Sequence, residues 1–291
     1  MTSPRVLLKG WQIRPKKQLG QNFLAAPDIA AKIAAKAGVS MEDTVLEIGA
    51  GLGALTIPLA RCAGKVYAVE TDRRVVPLLK TELLAAGLEN VQIIEKDILQ
   101  MDIGALAQQC RTQLTVMGNL PYHISSQVLV KLIKHRQWIN RAVVMFQKEL
   151  AQRLIAAPGD KRYGRLTVVL TYAAKVERLY ELTADQFFPK PKIDSTVVKV
   201  VFKPAEKAGD DEKLLFDVIK AAFGQRRKTV KNALSGSFLN VDPHAAENAL
   251  IQAGIDPQRR AETLSVEEFI RLADQIGHIR VAADTTRSSG T

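Results

Sequence analysis

Short apolar runs alternate with amphipathic stretches in the N-terminal half of the chain. The runs that are typical of strands cover residues 44–48, 65–69, 91–94, 114–117 and 142–146. The segment 72–86, between two of these runs, has the spacing of a helix, and we expect Pro77 within it to form a tolerated kink. Strands and helices that alternate in this way predict a doubly wound α/β fold with a mostly parallel sheet.

The C-terminal half has two more β-rich segments, followed by helical patterns. Residues 175–182 and 195–202 flank the proline-rich FFPKPKID, which predicts a hairpin that closes the sheet. After the polar linker PAEKAGDDEK, helical patterns cover residues 214–223, 227–234, 245–253 and 266–276. We therefore predict a sheet domain over residues 1–204 and a small all-helical domain over residues 205–291.

Local signals predict one helix near the N-terminus, but they do not decide the structure of the first residues. Pro27 and Asp28 are typical of a first helical turn, and Gly38 is typical of a helix stop. The preceding segment is a basic arm, which carries Arg5, Lys9, Arg14, Lys16 and Lys17 before any acidic residue. Up to about Trp11, a disordered tail fits the sequence equally well.

Basic residues outnumber acidic ones. The 291 residues include 41 Lys and Arg against 30 Asp and Glu, for a formal net charge of +11. This excess favours a polyanionic partner, with nucleic acid ahead of an anionic membrane.

No run approaches the roughly 18 apolar residues of a membrane span, and no signal-type apolar core precedes Pro27, so we expect a cytoplasmic protein without a membrane partner. Cys62 and Cys110 lack the paired spacing of zinc motifs, and we expect no metal.

A glycine-rich turn marks the first candidate binding site. In TVLEIGAGLGALT, Gly49, Gly51 and Gly53 lie between a predicted strand and a helix, where glycines let the backbone approach a ligand closely. The turn alone fits a nucleotide cofactor and a tight structural turn about equally. Glu70 ends the next predicted strand, about 20 residues further on, where an acidic side chain can accept both hydroxyls of a ribose. The pair favours a cofactor that contains a ribose.

Asp97 helps to separate two kinds of cofactor. An NAD-dependent dehydrogenase would show the same glycine turn and the same acid, but the sequence has no identifiable site for hydride transfer. Asp97 ends the run VQIIEKD, where a carboxylate can accept a hydrogen bond from an adenine amino group. A helix cap for the next segment is the alternative for this residue.

Asn119-Leu120-Pro121-Tyr122 is the candidate chemical site. It follows the predicted strand LTVMG, at the edge of the sheet where ligands of such folds bind. The Asn119 side-chain oxygen and a carbonyl of the Leu120-Pro121 link can accept the two N–H bonds of an exocyclic amine, whose lone pair is delocalised into its ring. Pro121 stiffens the turn, and Tyr122 offers a ring on which an extruded base can stack. Taken alone, the motif fits an Asn-Pro turn with a partly buried tyrosine better.

Six segments, in order, resemble those of one family. They are KKQLGQNFL at 16–24, VLEIGAGLGALT at 45–56, GNLPYHIS at 118–125, YGRL at 163–166, FFPKPKIDS at 187–195 and FGQRRKT at 223–229. Chance does not explain six ordered matches. From about Lys16 to its last helices, the chain resembles the KsgA-type small-subunit ribosomal RNA adenine dimethyltransferases.

The resemblance implies a Rossmann-like class I methyltransferase sheet that binds S-adenosylmethionine. Carried over by position, the cofactor contacts fall on Asn22, Leu24, Gly49, Gly51, Glu70, Asp97 and Asn119. The contacts to the target base fall on Asn119, Leu120, Tyr122 and Phe187. Phe187 is then the second wall of the base pocket, although the bare sequence fits core or hairpin packing equally well. His123 stands where many relatives carry asparagine, and we assign it no catalytic role.

The implied reaction is transfer of the sulfonium methyl to adenine N6, repeated once per base, with positioning and polarisation of the amine as the main source of catalysis. The implied substrate is a pair of adjacent adenosines in the 3'-terminal hairpin loop of small-subunit rRNA, within a 30S assembly intermediate. We expect a monomer. The alternatives are an Erm-type enzyme that acts on large-subunit rRNA and an assembly factor that mainly binds pre-ribosomal subunits. The FGQRRKT run favours the small-subunit enzyme over the Erm type.

A basic cluster in the predicted helix 227–234 is the candidate RNA-binding surface. It consists of Arg226, Arg227, Lys228 and Lys231, with no acid among them. At helical spacing, Arg227 and Lys231 share a face. Such a cluster is often a solvated helix face, but a basic chain with a small target loop should bind RNA mainly through phosphates away from the pocket.

Overall fold

The computed structural model describes residues 2–204, 207, 209–225 and 227–288. Over these residues the chain divides into two compact units. The first joins Met1–Ala151 to Ala174–Phe202, and the second joins Gln152–Ala173 to Lys203–Thr291. The boundary between Phe202 and Lys203 lies close to the predicted boundary at 204, while residues 152–173 group with the C-terminal helices.

The strands are β1 Phe23–Leu24, β2 Thr44–Ile48, β3 Lys65–Glu70, β4 Val91–Glu95, β5 Leu114–Asn119, β6 Ile139–Gln147, β7 Ala174–Leu182, β8 Phe187–Phe188 and β9 Ser195–Phe202. The helices are α1 Pro4–Gly10, α2 Pro27–Ala37, α3 Thr56–Ala60, α4 Val76–Ala85, α5 Ile103–Cys110, α6 Ser125–Lys134, α7 Lys148–Leu154, α8 Arg165–Ala173, α9 Gly209–Ala222, α10 Val230–Ser235, α11 Pro243–Gln252 and α12 Val266–Ser288.

The main sheet of the first unit has the order β4-β3-β2-β5-β6-β9-β7. Strands β2 to β6 pair in parallel, whereas β9 runs antiparallel between β6 and β7. The predicted closing hairpin is confirmed, since Leu182 pairs with Ser195 at its turn end. The chain moves outward in one direction from β2 and in the other from β5, so the strand order reverses between these two neighbours. Ligands of doubly wound sheets bind outside the carboxyl ends of the strands at such a point.

Close backbone packing holds β2 and β5 together at this point. Ile48 pairs with Gly118, and a Cβ on Gly118 would lie 2.6 Å from the Ile48 carbonyl oxygen. The apolar side chains of β2 and β5 are buried, as expected for parallel strands that are covered on both faces. The end of β5, where Asn119 lies, is therefore fixed to the start of the glycine turn after β2.

The first residues of the described chain are ordered. Helix α1 is capped by Ser3, and it buries Leu7 and Leu8 in a cluster with Phe23 and Leu52. The interpretation of this segment as a disordered tail is therefore wrong for residues 4–10. The basic arm lies on the same apolar cluster as β1, which pairs antiparallel with β8.

Helix α9 begins at Gly209 and α11 at Pro243, earlier than the predicted 214 and 245. Two other helices begin later than predicted, each for a local reason. Helix α4 begins at Val76, so Pro77 lies in its first turn, where a missing backbone N–H costs no helical hydrogen bond, and no kink is needed. Helix α10 begins at Val230, because the Thr229 side chain caps it by accepting from the backbone N–H of Asn232. The predicted helix 227–234 therefore starts three residues too early.

The second unit is helical, as predicted for the C-terminal part. Phe223, after α9, stacks on Phe269 of α12 with ring centroids 5.9 Å apart. The hydroxyl of Tyr163, just before α8, donates to the carbonyl of Leu264 at 2.9 Å. Because Tyr163 precedes the last strands of the sheet in sequence, the second unit is assembled from two separate stretches of chain. No helix of the described residues is long and apolar enough to cross a membrane.

Candidate active site

A cleft lies at the carboxyl ends of β2, β3 and β5, where the strand order reverses. It encloses about 700 Å³, including the part that is open to solvent, a size in the usual range of ligand pockets. The predicted site residues that line it are Asn22, Gly49, Gly51, Glu70, Asp97, Asn119, Leu120 and Tyr122. The structure thus brings residues from five separate sequence segments to one place.

The glycine turn and Glu70 form one side of the cleft. Gly51 has a φ of +54°, and a Cβ at this position would lie 3.1 Å from the ring of Phe23. Its backbone N–H donates to Glu70 Oε2 at 2.8 Å, while Glu70 Oε1 accepts from the backbone N–H groups of Thr71 and Asp72. Burial raises the pKa of Glu70, and these three donors oppose the rise. A carboxylate has about four acceptor positions, so Oε2 retains capacity for a ligand hydroxyl.

Asp97 caps a short helix and also lines the cleft. Its Oδ1 accepts from the backbone N–H of Leu99 at 2.9 Å, which caps the short 3-10 helix Ile98–Gln100. Within the described residues, Oδ2 has no hydrogen-bond partner in the protein, and Asp97 lines the cleft. A helix cap and a ligand contact are therefore compatible, since each uses a different oxygen.

The side chain of Asn119 has a fixed orientation. Its Nδ2 donates to the main-chain carbonyl of Asn22, with 2.8 Å between the nitrogen and the oxygen. The amide therefore has its Oδ1 left as an acceptor, which is the atom that an amine substrate needs.

The two carbonyls of the Leu120-Pro121 link are not equivalent. The Pro121 carbonyl accepts from the backbone N–H of Ile124 at 3.1 Å and from Ser125 Oγ at 3.0 Å. These bonds hold the turn into α6. The Leu120 carbonyl is therefore the better candidate for the second acceptor.

Tyr122 is half-buried and lines the cleft. Its hydroxyl lies 3.0 Å from Ser195 Oγ, the first residue of β9. Burial raises the pKa of Tyr122, so its phenol is neutral near neutral pH. The ring is fixed at its far end, which suits a stacking surface better than a mobile side chain would.

Leu24 and Phe187 are not brought into the cleft. They pair with each other between β1 and β8, and their side chains are 2% and 3% exposed. Both pack in the apolar core with Met145 and Val197. The structure therefore does not support a direct contact of either side chain with a ligand in this cleft, because apolar packing already surrounds them.

The basic cluster of the second unit is not one helix face. Arg227 and Lys228 are exposed in the turn before α10, and only Lys231 lies within the helix. Lys231 Nζ is 3.3 Å from Glu247 Oε2 on α11, so its charge is paired. Arg226 lies outside the described residues. The prediction that Arg227 and Lys231 share a helix face is wrong, since Thr229 starts the helix after Arg227.

Three polar residues in or near the cleft were not among the predicted site residues. Gln21, in a segment that the resemblance places over the cofactor, lines the cleft and bonds to Asp72, which is 3% exposed. Glu47 is buried next to the last residue of β2, and its Oε2 has no hydrogen-bond partner among the described residues. A lone acid in the apolar run TVLEI was a signal for Glu47. No spacing rule links Gln21 to Asp72, which are 51 positions apart.

Comparison with known proteins identifies the family. The family model "Ribosomal RNA adenine dimethylase" matches residues 13–277. A relative from Desulforapulum autotrophicum, "Ribosomal RNA small subunit methyltransferase A", is 50% identical over 277 residues, which cover 95% of this chain and 97% of the relative. The chain belongs to the ribosomal RNA adenine dimethylase family.

Two solved structures have a similar fold. A dimethyladenosine transferase from Plasmodium falciparum is 28% identical with a TM-score of 0.71, and the match covers 88% of this chain and 98% of that chain. The 23S rRNA methyltransferase ErmE is 24% identical with a TM-score of 0.66, and the match covers 88% and 100% of the two chains. The predicted class I methyltransferase fold is confirmed.

Family membership decides between the cofactors and the enzyme classes left open by the residues. The protein is an S-adenosylmethionine-dependent methyltransferase that acts on adenine in ribosomal RNA, so the dehydrogenase alternative is wrong. The cleft fits this cofactor chemically. The backbone of Gly49 and Gly51 lines the cleft, Glu70 and Asp97 have acceptor oxygens for a nucleoside, and Val69 and Ile98 add apolar walls.

Proposed function

We propose that this enzyme dimethylates N6 of two adjacent adenosines in the 3'-terminal hairpin loop of small-subunit rRNA. The observation that carries the proposal is that Asn119 and Tyr122 line the same cleft as Glu70 and Asp97. One cleft thus offers acceptors for a nucleoside cofactor beside acceptors for an amine. The relative at 50% identity is described as a small-subunit enzyme, which favours this substrate over the large-subunit rRNA of ErmE, where the likeness supports the fold alone.

The cofactor side of the cleft binds and orients a nucleoside. Glu70 Oε2 is the proposed acceptor for the ribose hydroxyls, and Asp97 Oδ2 is the proposed acceptor for the adenine amino group. The backbone at Gly49 and Gly51 lets the ligand approach closely, and Asn22 covers it from the N-terminal segment. S-adenosylmethionine, when bound, supplies an electrophilic methyl group on its sulfonium.

The substrate side of the cleft prepares the amine. An exocyclic adenine amine is a weak nucleophile because its lone pair is delocalised into the ring. Asn119 Oδ1 and the Leu120 carbonyl would each accept a hydrogen bond from one N–H of the amine. These two hydrogen bonds draw the nitrogen toward a pyramidal geometry and localise its lone pair. After the first methyl transfer the amine has one N–H left to donate, and the second transfer needs the same positioning. No strong base is required for this chemistry.

The target base must leave its stack before it can reach these acceptors. Stacking on the Tyr122 ring is worth about 1 to 3 kcal/mol, comparable with the few kcal/mol that unstacking costs. The hydrogen bond between the hydroxyls of Tyr122 and Ser195 holds the ring in place before RNA binds. Without that preorganisation, part of the stacking energy would be spent on ordering the ring.

Phosphate contacts away from the cleft would supply most of the RNA affinity. We propose residues 1–204 as the methyltransferase domain and residues 205–291 as the RNA-binding domain, with Arg226, Arg227 and Lys228 as phosphate contacts. Lys231 contributes less, because Glu247 neutralises it. The proposed substrate form is a 30S assembly intermediate, bound by a monomer of the enzyme in the cytoplasm. A role in binding and releasing pre-ribosomal subunits is compatible with this activity.

The direct test maps N6,N6-dimethyladenosine in rRNA from a deletion strain that carries the wild-type gene, an Asn119→Ala gene or no gene. We expect both modified adenosines only with the wild type, while the purified Asn119→Ala enzyme still binds rRNA. Modification of large-subunit rRNA instead would replace the substrate assignment. Full modification by the Asn119→Ala enzyme would remove Asn119 from the chemistry.

A further inference from the structure

The N-terminal segment 16–22, here called the closing segment, is anchored to a residue outside the proposed cofactor contacts. Gln21 Nε2 donates to Asp72 Oδ2 at 3.0 Å, and Gln21 Oε1 accepts from the backbone N–H of Lys16 at 2.7 Å. One side chain therefore folds the closing segment back on itself and ties it to the turn after β3. Asp72 is almost fully buried and is also bound by Arg74 through its backbone N–H and its guanidinium.

The other end of the closing segment lies on the chemical motif. Gly20 has a φ of +59°, and a Cβ there would lie 3.2 Å from His123 Nδ1 and 3.6 Å from the Tyr122 nitrogen. Asn22 turns its side chain inward, with Nδ2 donating to the Gly20 carbonyl at 3.1 Å. Its own main-chain carbonyl accepts from Asn119 Nδ2. A segment without these contacts would leave the Asn119 amide free to rotate.

The orientation of that amide has a chemical consequence. An asparagine amide presents a donor on one side and an acceptor on the other, and the two are exchanged by rotation about its last torsion. The bond to the Asn22 carbonyl selects the rotamer in which Oδ1 is the atom left for a substrate. The wrong rotamer would place a donor against the N–H bonds of the amine. The position of Asn22 therefore decides whether Asn119 can polarise its substrate.

We propose that Asp72 is a positioning residue, which through Gln21 holds the closing segment so that the Asn22 carbonyl orients the Asn119 amide. The inference rests on the proposed role of Asn119 as the acceptor of the amine. It assigns to Asp72 and Gln21 a role in the methyl-transfer step in addition to any effect on cofactor affinity. Asp72 itself touches no reacting atom.

The variant Gln21→Glu tests the anchor with almost no change in shape. It keeps the acceptor for Lys16 and replaces the donor with a carboxylate that faces Asp72. Loss of a buried charge-assisted hydrogen bond corresponds to about a 10- to 100-fold effect, and we expect kcat to fall by this factor. Amide hydrogen exchange in residues 19–23 should become faster in the enzyme without RNA. Gln21→Met, which has a similar shape and no polar atoms, should show the same two changes.

The double variant Gln21→Glu with Asp72→Asn exchanges donor and acceptor, and it is made in the Arg74→Met background because Arg74 Nη2 donates to the same Asp72 Oδ2 that accepts from Gln21. We expect it to recover most of the lost kcat and the slow exchange. Arg74→Met is the matched control, because it removes a partner of Asp72 that lies outside the closing segment and keeps the contacts of Asp72 with Gln21 and with Lys16 Nζ at 3.8 Å, so exchange at 19–23 should stay slow. Thermal melting verifies that each variant is folded.

Two results would overturn the inference. If Gln21→Glu and Gln21→Met keep the wild-type kcat and exchange, the closing segment does not depend on this anchor. If the double variant is no better than Gln21→Glu, Gln21 acts on a ligand directly and Asp72 is no positioning residue. The exchange measurement needs no RNA and no Asn119 variant, so its failure is distinct from a failure of the proposed function, which the Asn119→Ala mapping decides.

Discussion

The hydroxyl of Tyr122 lies 3.0 Å from Ser195 Oγ, which connects the tetrapeptide after β5 to the first residue of β9. Ser195 is completely buried, and it pairs with Gln147 and Leu182 on the two neighbouring strands. The antiparallel end of the sheet thus has a function beyond closing the fold. It fixes the far end of the ring on which we propose that the target base stacks.

Tyr122→Phe and Ser195→Ala each remove this hydrogen bond and keep the aromatic face. A neutral hydrogen bond contributes about 0.5 to 1.5 kcal/mol, so kcat/KM should fall by about tenfold at most. Tyr122→Ala removes the ring and should lose far more. Steady-state kinetics on rRNA or 30S particles make the comparison, with melting curves as the control for folding. A Tyr122→Phe enzyme as inactive as Tyr122→Ala would mean that the hydroxyl takes part in the chemistry.

Glu70 supports the cofactor side through two sets of contacts. It accepts from the backbone N–H of Gly51, and its Oε2 is the proposed acceptor for the ribose hydroxyls. Glu70→Ala should therefore weaken S-adenosylmethionine binding by about 1.5 to 3 kcal/mol, the range for a hydrogen bond to a charged group. Titration calorimetry measures this difference, and circular dichroism verifies the fold. An unchanged affinity in a folded variant would remove Glu70 from the cofactor site.

The sequence predicted the buried strands well, because parallel strands covered on both faces are continuous apolar runs. Helix starts were harder where side chains compete with the backbone. Asp72 accepts from the backbone N–H of Arg74 and forms a turn, so α4 begins four residues later than predicted. Thr229 caps α10 and leaves Arg227 outside the helix. Threonine is a common N-cap residue, so the sequence carries a signal for this later start.

Within the site, the sequence predicted residues whose role follows from strand order. Glu70 and Asn119 end parallel strands on the two sides of β2, so their meeting in one cleft follows from the fold. The contact of Gln21 with Asp72 depends on the path of the N-terminal segment across the sheet, which no local periodicity encodes. Phe187 was assigned to the base pocket by resemblance, and in this structure its side chain is 3% exposed and lies outside the cleft lining, so its contact with a base stays a prediction.

Glu47 should make stability depend on pH. Burial, with a smaller contribution from the nearby Glu70 carboxylate, raises the pKa of Glu47 from 4.5 to about 7. The folded protein therefore binds this proton more tightly than the unfolded chain does. The resulting stabilisation is complete below pH 4.5 and is lost as the pH rises to about 7.

Glu47→Gln cannot titrate and should not show this loss. Between pH 5 and 8, its free energy of unfolding should fall less than that of the wild type, by up to about 3 kcal/mol. Urea unfolding at several pH values measures the slope. Glu42→Gln, a change of the same kind on an exposed side chain, controls for the loss of one charge. Equal slopes for the wild type and Glu47→Gln would show that Glu47 is ionised in the folded protein at pH 5.

Two basic residues before α10 should contribute to RNA binding. Arg227 and Lys228 are exposed, and neither has an ion-pair partner among the residues that the structure describes. They lie in the turn that joins α9 to α10, where the backbone N–H of Lys228 donates to the Gln225 carbonyl. Two exposed cations without an ion-pair partner among the described residues can contact phosphates without first breaking a salt bridge. Lys231, one turn further on, already has Glu247 as its partner.

Replacing Arg227 and Lys228 by Ala should weaken rRNA binding and flatten its salt dependence. Each lost phosphate contact reduces the slope of log K against log salt by about 0.7 to 0.9. Adding Arg226→Ala, as part of the same basic run, should reduce the slope further. Lys231→Met is the matched control and should change the slope less than either exposed residue. S-adenosylmethionine affinity should be the same in all of these variants. An unaltered slope in the triple variant would make this turn a solvated surface, and the phosphate contacts would then be sought on the N-terminal arm and at Lys190 and Lys192.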